Sequence, residues 1–322
     1  MMGEGTGPER LLVCFDYEGA HGMPYAEDYD LVESTQRILA TLAEHDAHGV
    51  FFVVGRLVYE QPDVIRTIAE AGHEIGLHGY HHEHLDRLTE EGLAAFDRDL
   101  TRVQRVLEDL TGVRPRCFRA PYLLEPSFYR KEINDILRRQ GYLWISNLEL
   151  RHPVEIFRPD AGPRWRRAWR RGRDGRPRIS RSRLATFAIN VLHVSRLEFG
   201  GSLLGRLRWL ASSRAPFLQE GLLEVPVFAP LDCDLVGLPL PRELTPSPQM
   251  EYARAAIRSL VRTPAPLAMM TFHDWIVTGG NRIELLRELL VAAREAGLLV
   301  DGLANGRSSP SRTFEATLRR PA

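Results

Sequence analysis

Short apolar runs alternating with amphipathic helical stretches limit the folds open to this chain. Seven runs bounded by turn residues read as strands: Leu11–Phe15, Val50–Val54, Glu74–Leu77, Arg116–Arg119, Tyr142–Ile145, Leu223–Phe228 and Leu267–Phe272. The stretches Leu31–Glu44, Pro62–Ala71, Glu90–Leu110, Ser127–Gln140, Gln249–Val261 and Arg282–Ala296 carry apolar residues at i, i+3 and i+4. Gly49, Gly72, Gly112, Gly141 and Gly297 follow five of them as stop signals. Strands alternating with helices build a parallel sheet whose faces are covered by helices. The 322 residues suit either two domains of about 150 residues or one α/β barrel of about 250 with an insertion. A hydrophobic content of 44% with 26% charged residues excludes a wholly disordered chain, a collagen-like fibre and a polytopic membrane protein.

The unusual polar residues fall at the C-terminal ends of the apolar runs. Asp16 and Glu18 follow the first, His78 and His82 the third, Arg119 ends the fourth, Ser146 and Asn147 follow the fifth, and His273 and Asp274 the last. A barrel gathers these ends on one rim and brings first and last strands together. An open sheet does so only if its strand order reunites them. The pattern therefore predicts a barrel over residues 10–305. About 60 residues, 157–217, lack strand–helix alternation and read as an insertion between the fifth and sixth strands. Residues 306–322 read as a flexible tail.

Net charge is zero, with 42 basic and 42 acidic side chains, but the distribution is uneven. From Arg158 to Arg214 there are fifteen Arg and three acids, Asp160, Asp174 and Glu198, leaving 27 basic and 39 acidic residues elsewhere. Eleven of those Arg lie between Arg158 and Arg183, followed by the apolar stretches Leu184–Val194 and Leu203–Leu210. The order predicts contact with an anionic membrane surface, or alternatively a lid packed on the barrel. No nucleic-acid motif accompanies the charge, so no nucleic-acid partner is expected. Cys14, Cys117 and Cys233 are odd in number and widely spaced, which suits neither a disulfide framework nor a Cys-x-x-Cys metal site. The first ten residues lack the basic and apolar regions of a signal peptide. Together these features give the expectation of a cytoplasmic protein, peripheral on the inner face of the membrane.

Four short motifs carry the chemistry. In Asp16-Tyr17-Glu18-Gly19 the two acids stand at i and i+2 after a strand and point to one side, about 6–7 Å apart at the backbone. One can bind a metal while the other handles a proton. In His78-Gly79-Tyr80-His81-His82, imidazoles four apart on one helical turn can chelate a divalent ion, and a carboxylate completes a three-ligand site with open positions. In Arg119-Ala120-Pro121-Tyr122 a guanidinium beside a carboxylate keeps it ionised and oriented. In Thr271-Phe272-His273-Asp274-Trp275 an imidazole at the rim suits general acid or base work.

In this order along a βα chain, the motifs resemble those of the polysaccharide deacetylase family, the NodB-homology metal-dependent amidohydrolases, over roughly Leu11 to Leu303 apart from the insertion. Gly72-His73-Glu74-Ile75-Gly76-Leu77-His78-Gly79-Tyr80-His81-His82 is similar to the family's His-Ser/Thr-x-x-His motif with its upstream Gly-His-Glu-Ile-Gly. Phe118-Arg119-Ala120-Pro121-Tyr122 is similar to its Arg-x-Pro-Tyr motif. Two stretches depart. Tyr17 separates Asp16 from Glu18 where most members have adjacent aspartates, as in the Asp-x-Asp or Asp-x-Glu branch. Trp144-Ile145-Ser146-Asn147-Leu148-Glu149 lacks the Asp that tunes the catalytic histidine and the Trp that lines the acyl pocket.

The resemblance implies a distorted (β/α)7 barrel that hydrolyses an N-acetyl or N-formyl amide on an amino sugar, polysaccharide or lipid-linked. It implies Glu18, His78 and His82 as ligands of a divalent metal, Zn2+ first, with Co2+, Ni2+ or Mn2+ as alternatives. Asp16 becomes the base, held by Arg119, and His273 the acid. Tyr122, Asn147 and Trp275 are assigned to substrate and oxyanion. The alternatives are hydrolysis of a non-sugar amide, as in allantoinase-like proteins, and a non-catalytic carbohydrate binder.

Overall fold

The structure is a computed structural model that describes residues 10–21, 29–123, 130–148, 202, 204, 216–227, 232 and 267–303. Its elements run β1 (Arg10–Tyr17), α1 (Leu31–Ala43), β2 (Val50–Val53), α2 (Leu57–Glu60), α3 (Pro62–Glu70), β3 (Glu74–Leu77), α4 (Glu90–Thr111), β4 (Cys117–Phe118), α5 (Lys131–Arg139) and β5 (Trp144–Ile145). They continue with β6 (Phe217–Gln219), β7 (Leu222–Glu224), β8 (Leu267–His273), α6 (Asp274–Val277), α7 (Ile283–Glu295) and β9 (Leu299–Val300). Local chemistry sets several boundaries. Asp30 caps α1 by accepting from Glu33 N at 2.8 Å, and Thr89 caps α4 by accepting from Gly92 N at 3.2 Å. Gly112 closes α4 in the left-handed conformation.

The strands lie in the order β6-β7-β5-β4-β3-β2-β1-β8, with β9 against the first two residues of β1. Every pairing is parallel except the β6–β7 hairpin. Glu220 and Gly221 turn that hairpin with positive φ at both positions, the backbone a two-residue turn between twisted strands requires.

The two faces of the sheet carry separate cores. Leu11, Val13, Phe15 and Tyr17 of β1 pack with Phe51, Val53, Phe272 and the apolar stripes of α1, α3, α4 and α7. The alternate residues Leu12 and Cys14 pack with Phe52, Cys117, Trp144, Leu223 and Met269, and the same alternation puts Asp16 on this second face. Arg119, the residue after β4, shows that this face is the inside of a roll. Its guanidinium meets Ser146 after β5, Asp16 on β1, and Met269 and Thr271 on β8. In a flat sheet β4 and β8, four positions apart, would be separated by about 19 Å, far beyond the reach of one side chain. Trp144 closes the interior below, donating to Glu74 Oε1 at 2.9 Å, while Leu303 N donates to Glu74 Oε2 at 2.6 Å.

All seven expected strands are present, with Phe228 at the end of the sixth outside the described residues. The structure adds β6 and β9, which at three and two residues are too short to show a periodic pattern. Of the six expected helices, five are found; Gln249–Val261 lies outside the described residues, as do 127–129 of the fourth. So do Cys233, the tail 306–322 and nearly all of the expected insertion, of which only Ser202, Leu204, Pro216 and Phe217 are described. No helix among the described residues is long and apolar enough to cross a membrane.

Two stability measurements check this packing. A Cβ on Gly76 would lie 2.5 Å from Cys117 Sγ and 2.8 Å from Cys117 O, so the neighbouring strand itself would have to move. Gly76→Ala is expected to cost about 1–3 kcal/mol in denaturant unfolding. Glu224 is fully buried, with Oε1 accepting from Asn147 N and Leu148 N, and burial pushes its carboxyl up to about 8. The folded state therefore holds a proton that the unfolded chain releases near its ordinary value of 4.5. This raises the folded pKa, so the contribution is fully present below 4.5 and lost as pH rises through about 8. Glu224→Gln is expected to flatten that decline when unfolding is measured across the window.

Candidate metal centre

The rim at the C-terminal ends of the strands starts from Asp16, which is in register with Phe52 on β2 and His273 on β8. Arg119 Nη1 donates to Asp16 Oδ1 at 2.7 Å and to Thr271 Oγ1 at 2.9 Å; Nη2 reaches Ser146 Oγ at 3.0 Å. The guanidinium centre lies 4.4 Å from the centroid of the Phe52 ring. Burial pulls the Arg119 pKa down, but Asp16 outweighs it and the net direction is upward. Asp16 is thus held in one orientation by a permanent cation.

Beyond the strand, Glu18 turns into the rim. Asp274 accepts from Glu18 N at 3.0 Å, from Gly19 N at 3.1 Å and from the Tyr29 hydroxyl. Burial raises the Asp274 carboxyl to about 6 against those donors. Trp275 Nε1 donates to Glu18 Oε2 at 2.9 Å.

Glu18 Oε1 lies 2.9 Å from His82 Nε2 and 3.5 Å from His78 Nε2. The ligand atoms of Glu18, His78 and His82 all fall within 4.8 Å of one another. His78 and His82 do not share a helical turn, as their spacing suggested. Residues 78–84 are a bent loop in which Gly79 and His82 take positive φ. Glu83 fixes the bend by accepting from Tyr80 N at 3.1 Å and His81 N at 2.8 Å, a local competitor to helix that the periodicity does not reveal. A Cβ on Gly79 would press on Glu83 Oε2 at 2.9 Å and Pro121 Cγ at 3.0 Å, so the loop needs both the conformational freedom and the space.

The donor set fits a divalent metal. His78 Nδ1 pairs with Arg119 O at 2.9 Å, the backbone anchor that leaves a ligating imidazole its Nε2 lone pair. His82 Nε2 is buried and makes no hydrogen bond of acceptable angle, despite its closeness to Glu18. Burial acts most strongly on Glu18 and pushes its pKa up. The adjacent imidazoles of His78 and His82 and the charge of His273 reverse this, holding it well below the usual carboxylate range.

His273 also reaches the rim, its Nε2 3.9 Å from Glu18 Oε1. Asp232 grips it twice, accepting from His273 N at 2.6 Å and pairing with Nδ1 at 2.7 Å. Burial would lower this histidine, but Asp232, then Glu18 and Asp16, raise it to about 10. Asp232 holds His273 at the rim and was not among the residues expected there from the sequence. Its signal was present in Leu231-Asp232-Cys233-Asp234, an acid pair soon after an apolar strand, the same pattern that marked Asp16 and Glu18.

Asn147 is fully buried, and its Oδ1 accepts from Ala120 N at 2.9 Å, tying the end of β5 to the Arg119–Tyr122 loop. The Tyr122 ring is 58% exposed and stacks on His84 with centroids 3.9 Å apart. It also lies 4.6 Å from His82, so it borders the ligand cluster. The structure therefore brings Asp16, Glu18, His78, His82, Arg119 and His273 together, with Tyr122 and Trp275 at their edges and Asn147 behind the loop.

The family model for polysaccharide deacetylase matches residues 4–144. A peptidoglycan-N-acetylglucosamine deacetylase of Bacillus cereus is 31% identical over 91 residues, 28% of this chain and 32% of that protein. Chitin deacetylase 1 of Cryptococcus neoformans var. grubii is 35% identical over 88 residues, 27% of this chain and 18% of that protein. The chain thus spans about a third or less of the length of these relatives. A Mycobacterium smegmatis crystal structure assigned to the polysaccharide deacetylases superposes with a TM-score of 0.59 at 22% identity, over 94% of this chain and 90% of that one. That likeness concerns the fold, and it agrees with the rolled sheet and its seven expected βα strands. Residues 4–144, which match the polysaccharide deacetylase family model, carry Asp16, Glu18, His78, His82 and Arg119.

Proposed function

We propose that this protein is a metal-dependent hydrolase that removes the acetyl group from an N-acetylated amino sugar in a glycan. The observation that carries the reading is the convergence of Glu18 Oε1, His78 Nε2 and His82 Nε2 in one buried patch, with Asp16 and His273 on the neighbouring strand ends. The peptidoglycan and chitin deacetylases among the relatives supply the substrate class.

Glu18, His78 and His82 would hold the ion. A bound divalent metal supplies Lewis acidity, lowering the pKa of water and polarising an amide carbonyl. Asp16, oriented by Arg119, accepts the proton of the attacking water. The backbone N–H of Tyr122 donates to the oxygen on which charge develops. His273, held as imidazolium by Asp232, gives its proton to the departing amine as the C–N bond breaks, and the acyl group leaves as acetate carrying the oxygen of the attacking water. A pure binder would need neither a proton acceptor nor a proton donor beside the metal site. A non-sugar amide is distinguished by the substrate panel below.

The Arg-rich stretch 158–214 motivates a further element of this reading. At roughly 1 kcal/mol for each basic residue near an anionic surface, four or five engaged arginines would hold the protein on a membrane, where a polyprenyl-phosphate-linked sugar is presented. An N-formyl group is the alternative acyl class on such a sugar.

Four outcomes follow. Metal-loaded protein, incubated with free, polymeric, nucleotide-linked and polyprenyl-linked N-acetyl and N-formyl sugars beside simple amides, is expected to yield a free amine on a sugar by mass spectrometry. Chelation should abolish the product and Zn2+ or Co2+ restore it; full turnover after verified metal removal contradicts the reading. Asp16→Asn and His273→Ala should each lower kcat about 10²–10⁴-fold with metal retained. In vesicle sedimentation, binding should require anionic lipid, fall with salt and weaken when Arg166, Arg167, Arg170 and Arg171 become Ser.

A further inference from the structure

The end of β8 and the start of α6 deliver three consecutive side chains to the rim, His273, Asp274 and Trp275, and the last two act on one neighbour. Asp274 accepts from the backbone N–H groups of Glu18 and Gly19 through its two separate oxygens, at 3.0 and 3.1 Å. Trp275 donates from Nε1 to Glu18 Oε2 at 2.9 Å. The other oxygen, Oε1, faces His82 Nε2 at 2.9 Å and His78 Nε2 at 3.5 Å. The two oxygens of Glu18 therefore have different partners: one faces the indole, the other the imidazoles.

We infer that Asp274 and Trp275 form a clamp that fixes Glu18 as a one-oxygen metal ligand, making Trp275 a positioning residue for the metal; this rests on the metal reading of the site given above. A glutamate has one more rotatable bond than an aspartate, so its carboxylate loses more rotamer freedom when it is fixed on an ion. It can also swing both oxygens onto the ion and fill two positions. An indole N–H is a donor with no acceptor capacity, so it occupies Oε2 without competing for the ion. Asp274 fixes the other end of the arm by holding the backbone on either side of the Glu18 carbonyl. The result is a carboxylate that offers one oxygen beside two imidazoles, with positions left open for water and substrate, as a catalytic metal site requires. The Trp275 ring also lies 5.5 Å from that of His273, so the clamp packs against the proton donor. Such outer partners of ligands typically control about 10–100-fold in metal affinity.

The test measures metal binding rather than turnover. Zn2+ affinity is determined by competition with a chromophoric chelator, and the visible spectrum of the Co2+ form is recorded. The proteins are wild type, Trp275→Phe, and a form with benzothienylalanine incorporated at position 275 alone, which keeps the ring shape but has sulfur in place of the N–H. Both altered proteins should bind Zn2+ about 10–100-fold more weakly, and their Co2+ spectra should weaken as the freed oxygen adds to the coordination shell. If Trp275→Phe fails to fold, the isosteric replacement decides. Unchanged affinity and spectrum with a metal-binding wild type would overturn the clamp and leave the metal reading standing. A wild type that takes up neither ion would overturn both.

Discussion

A guanidinium with no exposed surface must be matched by charge and by acceptors, and Arg119 meets that requirement with groups from three other parts of the sheet. Asp16 supplies the charge, Thr271 and Ser146 supply hydroxyl oxygens, and the Phe52 ring lies against the cation. These partners cannot be reached from β4 unless the sheet is rolled, so satisfying one buried charge and closing the interior are the same event. The backbone of Arg119 takes part too, because its carbonyl anchors His78 Nδ1. One residue thus orients the proposed base through its side chain and a proposed ligand through its main chain.

The rim divides its titratable groups into two environments. Asp16 faces a permanent cation, and His273 faces Asp232, which raises its pKa against the effect of burial. Glu18 is held low by the imidazoles. Under the proposed reaction these environments give a proton acceptor and a proton donor at the same pH, as water attack and amine departure require.

Much of the site was legible because strand ends in a parallel roll converge on one rim. Asp16, Glu18, His78, Arg119 and His273 could each be placed from the apolar run before them. The His78–His82 loop was only half legible. The four-residue spacing brought the imidazoles together, but the backbone route depends on Glu83 binding two N–H groups, which no periodicity records. Asp232 was missed because sequence distance hides the contact, 41 residues from His273, whereas the stretch containing Asn147 looked like its natural place. Asn147 proves to hold Ala120 N, and Trp275 proves to hold Glu18. Both are tertiary pairings between rim segments, invisible to local pattern. The short strands β6 and β9 escaped for a simpler reason, since three or two residues define no period.

Under the proposed function, Glu18, His78 and His82 form one metal centre beside Asp16 and His273. Anomalous diffraction at the zinc edge from crystals grown with one equivalent of Zn2+ tests it most directly. A single strong peak is expected, within coordination distance of Glu18 Oε1, His78 Nε2 and His82 Nε2, about 2.0–2.2 Å from each. A crystal with no peak among these three atoms, or with zinc held only at other residues, would contradict it.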